Sequence, residues 1–152
     1  MPNGDTPVIL EHDAAVRESW NLVRDQGAEL TGRFYDHLFA LDPALQALFV
    51  RLDDETRLRK LMAAVDEVIQ LLEEPDRLVS VIIPLGRRHA EYGVTDRDYH
   101  TGATAFLLAM HDVLGERFTI EADRGWREVY ALVSEVMRRA GHGMARVSSS
   151  DR

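Results

Sequence analysis

Apolar residues recur along most of the chain at intervals of three and four positions, which places them on one face of an α-helix rather than on one face of a strand. Val16, Trp20 and Val23 mark the first of these faces. The faces of the later helices are marked by Leu30, Phe34, Tyr35, Leu38, Phe39, Leu58, Leu61, Met62, Val65, Val68, Ile69, Leu72, Ala103, Phe106, Leu107, Met110, Val113, Trp126, Val129, Val133, Val136 and Met137. The stretches between them are short, so the pattern predicts an all-α fold of six to eight helices.

Proline and aspartate set the expected limits of the early helices. Asp42 ends the second helix, because a residue that precedes a proline avoids the helical conformation. Pro43 suits the first turn of a short helix that runs to about Phe49. Asp53 opens a long amphipathic helix, which stops before Pro75.

The later helices are delimited by proline, glycine and capping residues. The apolar run Leu78–Ile83 is rich in β-branched residues but has no partner strand, so it is read as helical or irregular. Pro84 is expected to begin a helix that ends at Gly93 and that is short or kinked. Thr95–Asp98 has the pattern of a capping box for the next helix, and Thr119 is expected to cap the last one.

Composition indicates one domain with a real core and an acidic surface. The chain has 152 residues, of which 45% are hydrophobic, and a formal net charge of −8. Such a surface repels nucleic acid and anionic membrane, so neither is an expected partner. No apolar stretch reaches the roughly 18–20 residues that span a bilayer, Met1–Thr6 does not resemble a signal peptide, and the expected location is the cytoplasm.

The two ends of the chain lack the helical pattern. We expect residues 1–8 and 142–152 to be disordered and residues 9–141 to form the domain. The sequence has no cysteine, which excludes disulfides and thiolate metal sites.

Few residues offer obvious chemistry. The six histidines include no pair four positions apart, and the sequence has neither a glycine-rich phosphate loop nor a serine nucleophile elbow. His89 lies in a distinctive segment that runs from Gly86 to Val94. A lone histidine is more often a surface or core residue than a metal ligand. Periodicity alone therefore favours an ordinary structural role for His89.

The residues that flank His89 favour the ligand interpretation instead. The segment from Leu85 to His89, followed by Tyr92-Gly93-Val94, resembles the proximal segment of bacterial single-domain globins and of the globin part of flavohaemoglobins. The resemblance extends from about residue 12 to about residue 140. Its other matching segments are, in chain order, Glu18-Ser19-Trp20, Phe34-Tyr35, Leu38-Phe39, Pro43, Leu48-Phe49, Arg59 to Met62, and Trp126 with Tyr130.

This resemblance implies a globin fold around haem b, with His89 as the only protein ligand of the iron. The carbonyl of Leu85, one turn earlier, is a natural partner for the other ring nitrogen of His89. Phe49 matches the aromatic residue that packs flat on the haem, and Leu61 matches the apolar residue over the iron.

Further residues of the implied site lie around these. Tyr35 matches the distal tyrosine whose hydroxyl donates to a bound ligand, although its ring is equally suited to the core. Tyr99 matches a tyrosine behind the proximal histidine. Val94 is also expected to be one of the residues that bind the haem. Arg87 or Arg88 is expected to contact a haem propionate, although both equally suit a solvated basic face.

Two positions depart from the family pattern. Arg57 stands where relatives have glutamine or histidine, with Thr56 as the alternative residue if the preceding loop has shifted. Gly141 stands where flavohaemoglobins carry a glutamate that hydrogen-bonds the proximal pair.

Three functions remain open at this point. The first is reversible binding of oxygen together with nitric oxide dioxygenation, for which a separate reductase restores ferrous iron. The second is a non-enzymatic carrier or sensor of oxygen, carbon monoxide, nitric oxide or small anions. The third is a haem-free, globin-like signalling module.

Overall fold

The computed structural model describes residues 11–150, with side chains described up to residue 143. Six α-helices and three short 3₁₀ turns follow one another, and no strand occurs among these residues, which confirms the predicted all-α class. The helices are α1 (Asp13–Val23), α2 (Gly27–Leu41), α3 (Asp54–Gln70), α4 (Pro75–Glu91), α5 (Asp96–Leu114) and α6 (Ile120–Ser150). The 3₁₀ turns are Arg24–Gln26, Pro43–Phe49 and Gly115–Arg117.

Side-chain caps fix several helix starts where the sequence predicts them. The Asp53 carboxylate accepts a hydrogen bond from the Thr56 N–H at 2.7 Å and begins α3. Thr95 and Asp98 form the predicted capping box of α5, with each side chain bonded to the other residue's backbone N–H. Thr119 accepts from the Ala122 N–H at 3.1 Å and begins α6. These short-range bonds satisfy N–H groups that a helix start leaves free.

The start of α4 differs from the prediction. Pro75, not Pro84, occupies the first turn, and Pro84 lies inside a single helix of 17 residues. Leu78 and Ile82, one turn apart, are buried on this added part of the helix. Their burial offsets the hydrogen bond that Pro84 cannot make, which explains why a residue that usually ends a helix is tolerated here.

The end of the chain also differs from the prediction. The backbone of α6 is helical to Ser150 rather than ending near residue 141. His142 Nε2 lies 3.3 Å from the Asp96 carboxylate at the start of α5, a contact that links this part of α6 to the body of the domain. The segment 1–8, expected to be disordered, lies outside the described residues.

The core consists of two apolar clusters. The larger one joins α1, α2, α5 and α6 with one side of α3, and the smaller one joins α4 to α6 and to the end of α3. Helix α3 packs against α2, whereas α4 packs along α6, so two helices that are consecutive in sequence are held by different partners. No helix of the described chain combines the length and apolar character needed to cross a membrane.

The contact between α4 and α6 depends on glycine. A Cβ atom added to Gly86 would lie 2.5 Å from the carbonyl oxygen and 2.7 Å from the Cα of Met137. Both of these are backbone atoms, which cannot move aside as the end of a side chain can. Gly86 therefore allows α4 to approach α6 closely, and it lies one turn before His89.

Candidate functional site

His89 lies in the last turn of α4 and has the geometry of a metal-binding imidazole. Its Nδ1 is 2.7 Å from the carbonyl oxygen of Leu85, the contact expected from the sequence, and Nδ1 must be the donor because a carbonyl only accepts. Burial lowers the pKa of His89 below its ordinary value, more than the bond to Leu85 raises it. A neutral ring with its proton on Nδ1 carries a lone pair on Nε2, and that atom is then the donor for a metal.

The end of α4 fixes His89 through backbone contacts as well. Gly93 has φ +90°, a left-handed conformation that favours glycine and that turns the chain out of the helix. The Val94 N–H then donates to the carbonyl of His89 at 3.0 Å. These bonds hold the backbone of the candidate ligand on both sides of the turn.

Tyr99, on α5, lies against the imidazole. The two rings are nearly parallel, with an interplanar angle of 18° and centroids 6.1 Å apart. Burial and the negative charge of Asp96 raise the pKa of Tyr99 to about 12, so its hydroxyl stays protonated at neutral pH. We call His89, Leu85, Val94 and Tyr99 the proximal side.

One cavity joins three proximal residues, His89, Val94 and Tyr99, to Phe49. Its lining also includes Tyr130 and Gly102, which sequence reasoning did not assign to the site. A Cβ atom on Gly102 would lie 2.7 Å from the Tyr130 hydroxyl oxygen, so the missing side chain leaves room for that hydroxyl. A glycine in the interior of a predicted helix is the signal that could have identified this position.

Phe49 also belongs to an aromatic group on the other side of the site. Its ring centroid is 5.2 Å from that of Tyr35 and 5.9 Å from that of Phe39. Burial raises the pKa of Tyr35 above its ordinary value, and the nearby charge of Arg57 opposes that rise only in part. The Tyr35 hydroxyl is therefore a protonated hydrogen-bond donor at neutral pH.

Arg57 lies over this group instead of extending into solvent. Its guanidinium carbon is 5.2 Å from the ring centroid of Tyr35 and 5.7 Å from that of Phe39, within the range of cation–π contacts. Its Nη2 donates to the Phe49 carbonyl at 2.9 Å, while Nε is buried without a partner among the described residues. Thr56, the alternative residue, uses its backbone N–H in the cap of α3. We call Tyr35, Phe39, Phe49 and Arg57 the distal side.

The other expected site residues differ in how close they come to these two groups. Leu61 packs against the same core cluster as Tyr35 and Phe49. Arg88 is exposed, and its charge acts on His89, whose pKa it helps to lower. Arg87 lines a separate surface groove between α4 and α6, so the structure does not bring it to the cavity of His89.

Gly141 lies where α6 meets α4. A Cβ atom there would be 3.0 Å from the Cβ of Ala90, the residue after His89. The position therefore faces the proximal helix, but it carries no side chain that could reach the imidazole. Leu85 is the hydrogen-bond acceptor that the structure gives to His89 Nδ1.

The donor set fits a haem group. His89 offers one neutral nitrogen with its tautomer fixed. Phe49 lines the His89 cavity and contacts the ring of Tyr35, which lines a second groove together with Phe39 and Arg57. The distal side supplies hydroxyl and guanidinium donors and, among its four residues, no nitrogen with a free lone pair. In the haem-bound protein, His89 would hold the iron, and the distal side would offer no second protein ligand among its four residues.

Comparisons with known proteins identify the family of the chain. The sequence profile of the globin family, described as "Globin", matches residues 32–137, a region that contains the proximal and distal sides. Curated relatives include the flavohemoprotein of Bacillus subtilis, 23% identical over 122 residues, and that of Xylella fastidiosa, 26% identical over 125 residues. These matches cover 79% and 81% of this chain, which spans 31% of the length of each relative.

Solved structures show the same fold. An engineered carbene transferase from Rhodothermus marinus, provisionally assigned as a nitric oxide dioxygenase, superimposes with a TM-score of 0.80 at 22% identity, covering 91% of this chain and 96% of that one. A hexacoordinated heme protein from an anhydrobiotic tardigrade superimposes with a TM-score of 0.77 at 14% identity, covering 93% and 99%. The chain belongs to the globin family, as a haem protein related to the flavohaemoglobins.

Proposed function

We propose that the protein binds oxygen and other small ligands reversibly and converts nitric oxide to nitrate with electrons from a separate reductase. The observation that carries this proposal is the half-buried, protonated Tyr35 on the distal side, whose ring contacts Phe49, a residue that lines the cavity of His89. When bound, haem supplies the iron centre at which oxygen and nitric oxide react. The likeness to flavohemoproteins supports the proposal at the level of the globin region only.

The residues of the proximal side would bind the haem iron, and those of the distal side would stabilise the bound gas. His89 presents one neutral nitrogen, and the Leu85 carbonyl holds the ring in that tautomer. Tyr35 donates a hydrogen bond to a ligand that gains partial negative charge, and such a bond slows ligand release. Phe39 and Phe49 surround the Tyr35 ring and limit the access of water.

Arg57 adds a positive charge that stays fixed at all working pH values. Its guanidinium lies over the Tyr35 ring and is held by the Phe49 carbonyl. From this position it attracts small anions, such as azide or nitrite, to the ferric protein. One of its donors, Nε, has no partner among the described residues and is a candidate contact for such an anion.

Gly141 favours a second candidate, an oxygen carrier without enzymatic turnover. A carboxylate bonded to the proximal imidazole strengthens its electron donation, and the Leu85 carbonyl is a weaker acceptor. With glycine at position 141, the reaction has to rely on the distal side alone. Glycine at position 141 therefore weakens the case for dioxygenation but leaves the case for oxygen binding unchanged.

Stopped-flow mixing of the oxygenated ferrous protein with nitric oxide tests the proposal. If the protein is a nitric oxide dioxygenase, we expect rapid conversion to the ferric form with one nitrate formed per haem. Tyr35→Phe is expected to slow this conversion, whereas Tyr92→Phe, a change at an exposed tyrosine, is expected to leave it unchanged. Stable oxygen binding with no nitrate formed would instead support the carrier.

A further inference from the structure

A histidine and two glutamates lie together, and none of them lines the cavity of His89. Glu11 and His12 immediately precede α1, and Glu128 lies on α6. One carboxylate oxygen of each glutamate and one ring nitrogen of His12 all lie within 4.8 Å of one another. The three side chains therefore already converge from two separate parts of the chain.

The backbone under this cluster is closely fixed. A Cβ atom on Gly125, one turn before Glu128, would lie 2.9 Å from the His12 carbonyl oxygen and 3.0 Å from its Cβ. The same carbonyl accepts the Val16 N–H at 3.1 Å, and the Val16 side chain is fully buried. The absent side chain at Gly125 thus lets the start of α1 lie against α6, which sets His12 beside Glu128.

The charges of the cluster call for a cation. Among the described residues, no salt bridge joins Glu11 or Glu128 to an arginine, while Arg17 lies 3.8 Å from Glu73 and Arg127 lies 2.6 Å from Asp123. Two carboxylates within 4.8 Å of each other repel, and neither of these arginine pairs reduces that repulsion. A bound divalent ion would neutralise both.

We propose that Glu11, His12 and Glu128 form a binding site for a divalent transition-metal ion of the zinc class. One imidazole nitrogen with two carboxylate oxygens suits zinc, nickel or cobalt, whereas calcium and magnesium prefer an all-oxygen set. Ligand bonds of about 2.0–2.1 Å bring the donor atoms to about 3.3 Å from one another, so each side chain moves inward on binding. Water completes the coordination, because Glu11 is exposed and the other two ligands are half-buried.

The site would join the first turn of α1 to α6. His12 is the N-cap residue of α1 but makes no side-chain capping bond, so its ring is free to bind a metal without loss to the helix. An ion that binds the folded chain more tightly than the unfolded chain raises its stability. The consequence is structural and is independent of oxygen or nitric oxide.

Zinc chloride titrated into the chelator-treated, haem-loaded protein tests this site by calorimetry and thermal unfolding. We expect one zinc ion per chain, a higher Tm with zinc, and at least tenfold weaker binding in His12→Ala and in Glu128→Gln. His100→Ala, a change at an exposed histidine outside the cluster, should bind zinc as the unmodified chain does. An unchanged Soret band confirms folding, and Glu128→Gln decides the matter if His12→Ala is poorly folded. Absence of zinc binding, or binding by both cluster variants as tight as that of the unmodified chain, would overturn the proposal.

Discussion

The proximal and distal sides of the haem site are assembled over different distances along the chain. On the proximal side, His89 bonds to Leu85 four residues earlier and to Val94 five residues later. On the distal side, Tyr35 lies on α2, Phe49 on a 3₁₀ turn and Arg57 on α3. The proposed iron ligand, His89, is therefore positioned by bonds at the end of one helix. The pocket for a bound gas depends instead on how three segments pack together.

This difference indicates on which side residues can be substituted without loss of the haem. The proximal bonds follow from helix geometry and from Gly93, so most surface substitutions leave them intact. The distal contacts are between side chains, apart from the bond of Arg57 to the Phe49 carbonyl, and substitution of Tyr35 or Arg57 alters polarity or charge around a bound ligand. We expect changes on the proximal side to affect haem retention and changes on the distal side to affect ligand kinetics.

The largest expected effect is the loss of haem in His89→Ala. The variant should remain helical by circular dichroism but lose most of its Soret absorbance, because the other proximal residues offer no imidazole. Added imidazole should restore part of the absorbance. His100→Ala serves as the control, and a normal ferrous spectrum in His89→Ala would show that the proximal assignment is wrong.

Tyr35→Phe tests the distal side alone. A hydrogen bond to a partly charged acceptor is worth roughly 1.5–3 kcal/mol, so the oxygen dissociation rate should rise by about one to two orders of magnitude. Carbon monoxide, which is less polar when bound, should respond much less. Because burial raises the pKa of Tyr35, the hydroxyl keeps its proton through the neutral range, and the effect should be constant between about pH 6 and pH 9.

Equal changes for oxygen and carbon monoxide in Tyr35→Phe would mean that the pocket acts by shape. A strong pH dependence between these limits would contradict a protonated donor. Stopped-flow ligand displacement measures both rates in the same preparation, with Tyr92→Phe as the matched control.

Gly86→Ala tests the close contact between α4 and α6 beneath the proximal side. The new methyl group would meet the backbone of Met137 at 2.5 Å, so α4 has to move away from α6. Overpacking of this kind typically costs about 1–3 kcal/mol in the free energy of unfolding. Denaturant unfolding should show this loss, whereas Gly32→Ala, where no atom lies within 4 Å, should be neutral or slightly stabilising. Equal stability of both variants would contradict the close approach of α4 to α6.

Arg57→Gln is expected to have the smallest effect. A guanidinium charge about 4 Å from an anion contributes about 1 kcal/mol even in a water-like environment, so azide affinity of the ferric protein should fall by about fivefold. Arg57→Lys should keep part of the affinity, and Arg59→Gln, at an exposed position of the same helix, should keep all of it. Unchanged azide affinity in Arg57→Gln would exclude the anion role.

Sequence reasoning succeeded where the cause is local. The capping box of α5, the end of α4 at Gly93 and the bond between His89 and Leu85 follow from spacings of three to five residues. It failed at Pro84, because the burial of Leu78 and Ile82 against other helices is a tertiary effect that outweighs a helix-breaking residue.

The site was partly predictable for the same reason. The resemblance indicated Tyr35, Phe49 and His89 as candidate site residues, but spacing could not show that the Arg57 guanidinium lies over the Tyr35 ring, 22 positions away. Nor could it separate Arg87, which faces a groove on α6, from its neighbour Arg88. These outcomes depend on which face of a helix meets which partner, and they become visible only in three dimensions.

The absorption spectrum of the reduced, ligand-free protein tests the central claim most directly. His89 is the protein ligand proposed for the iron, and helix α3, on the distal side, contains no histidine. Arginine stays protonated and has no lone pair to offer, so the ferrous protein should be five-coordinate and high-spin, with a single broad visible band. Two sharp visible bands of a six-coordinate, low-spin iron in the absence of added ligand would contradict it.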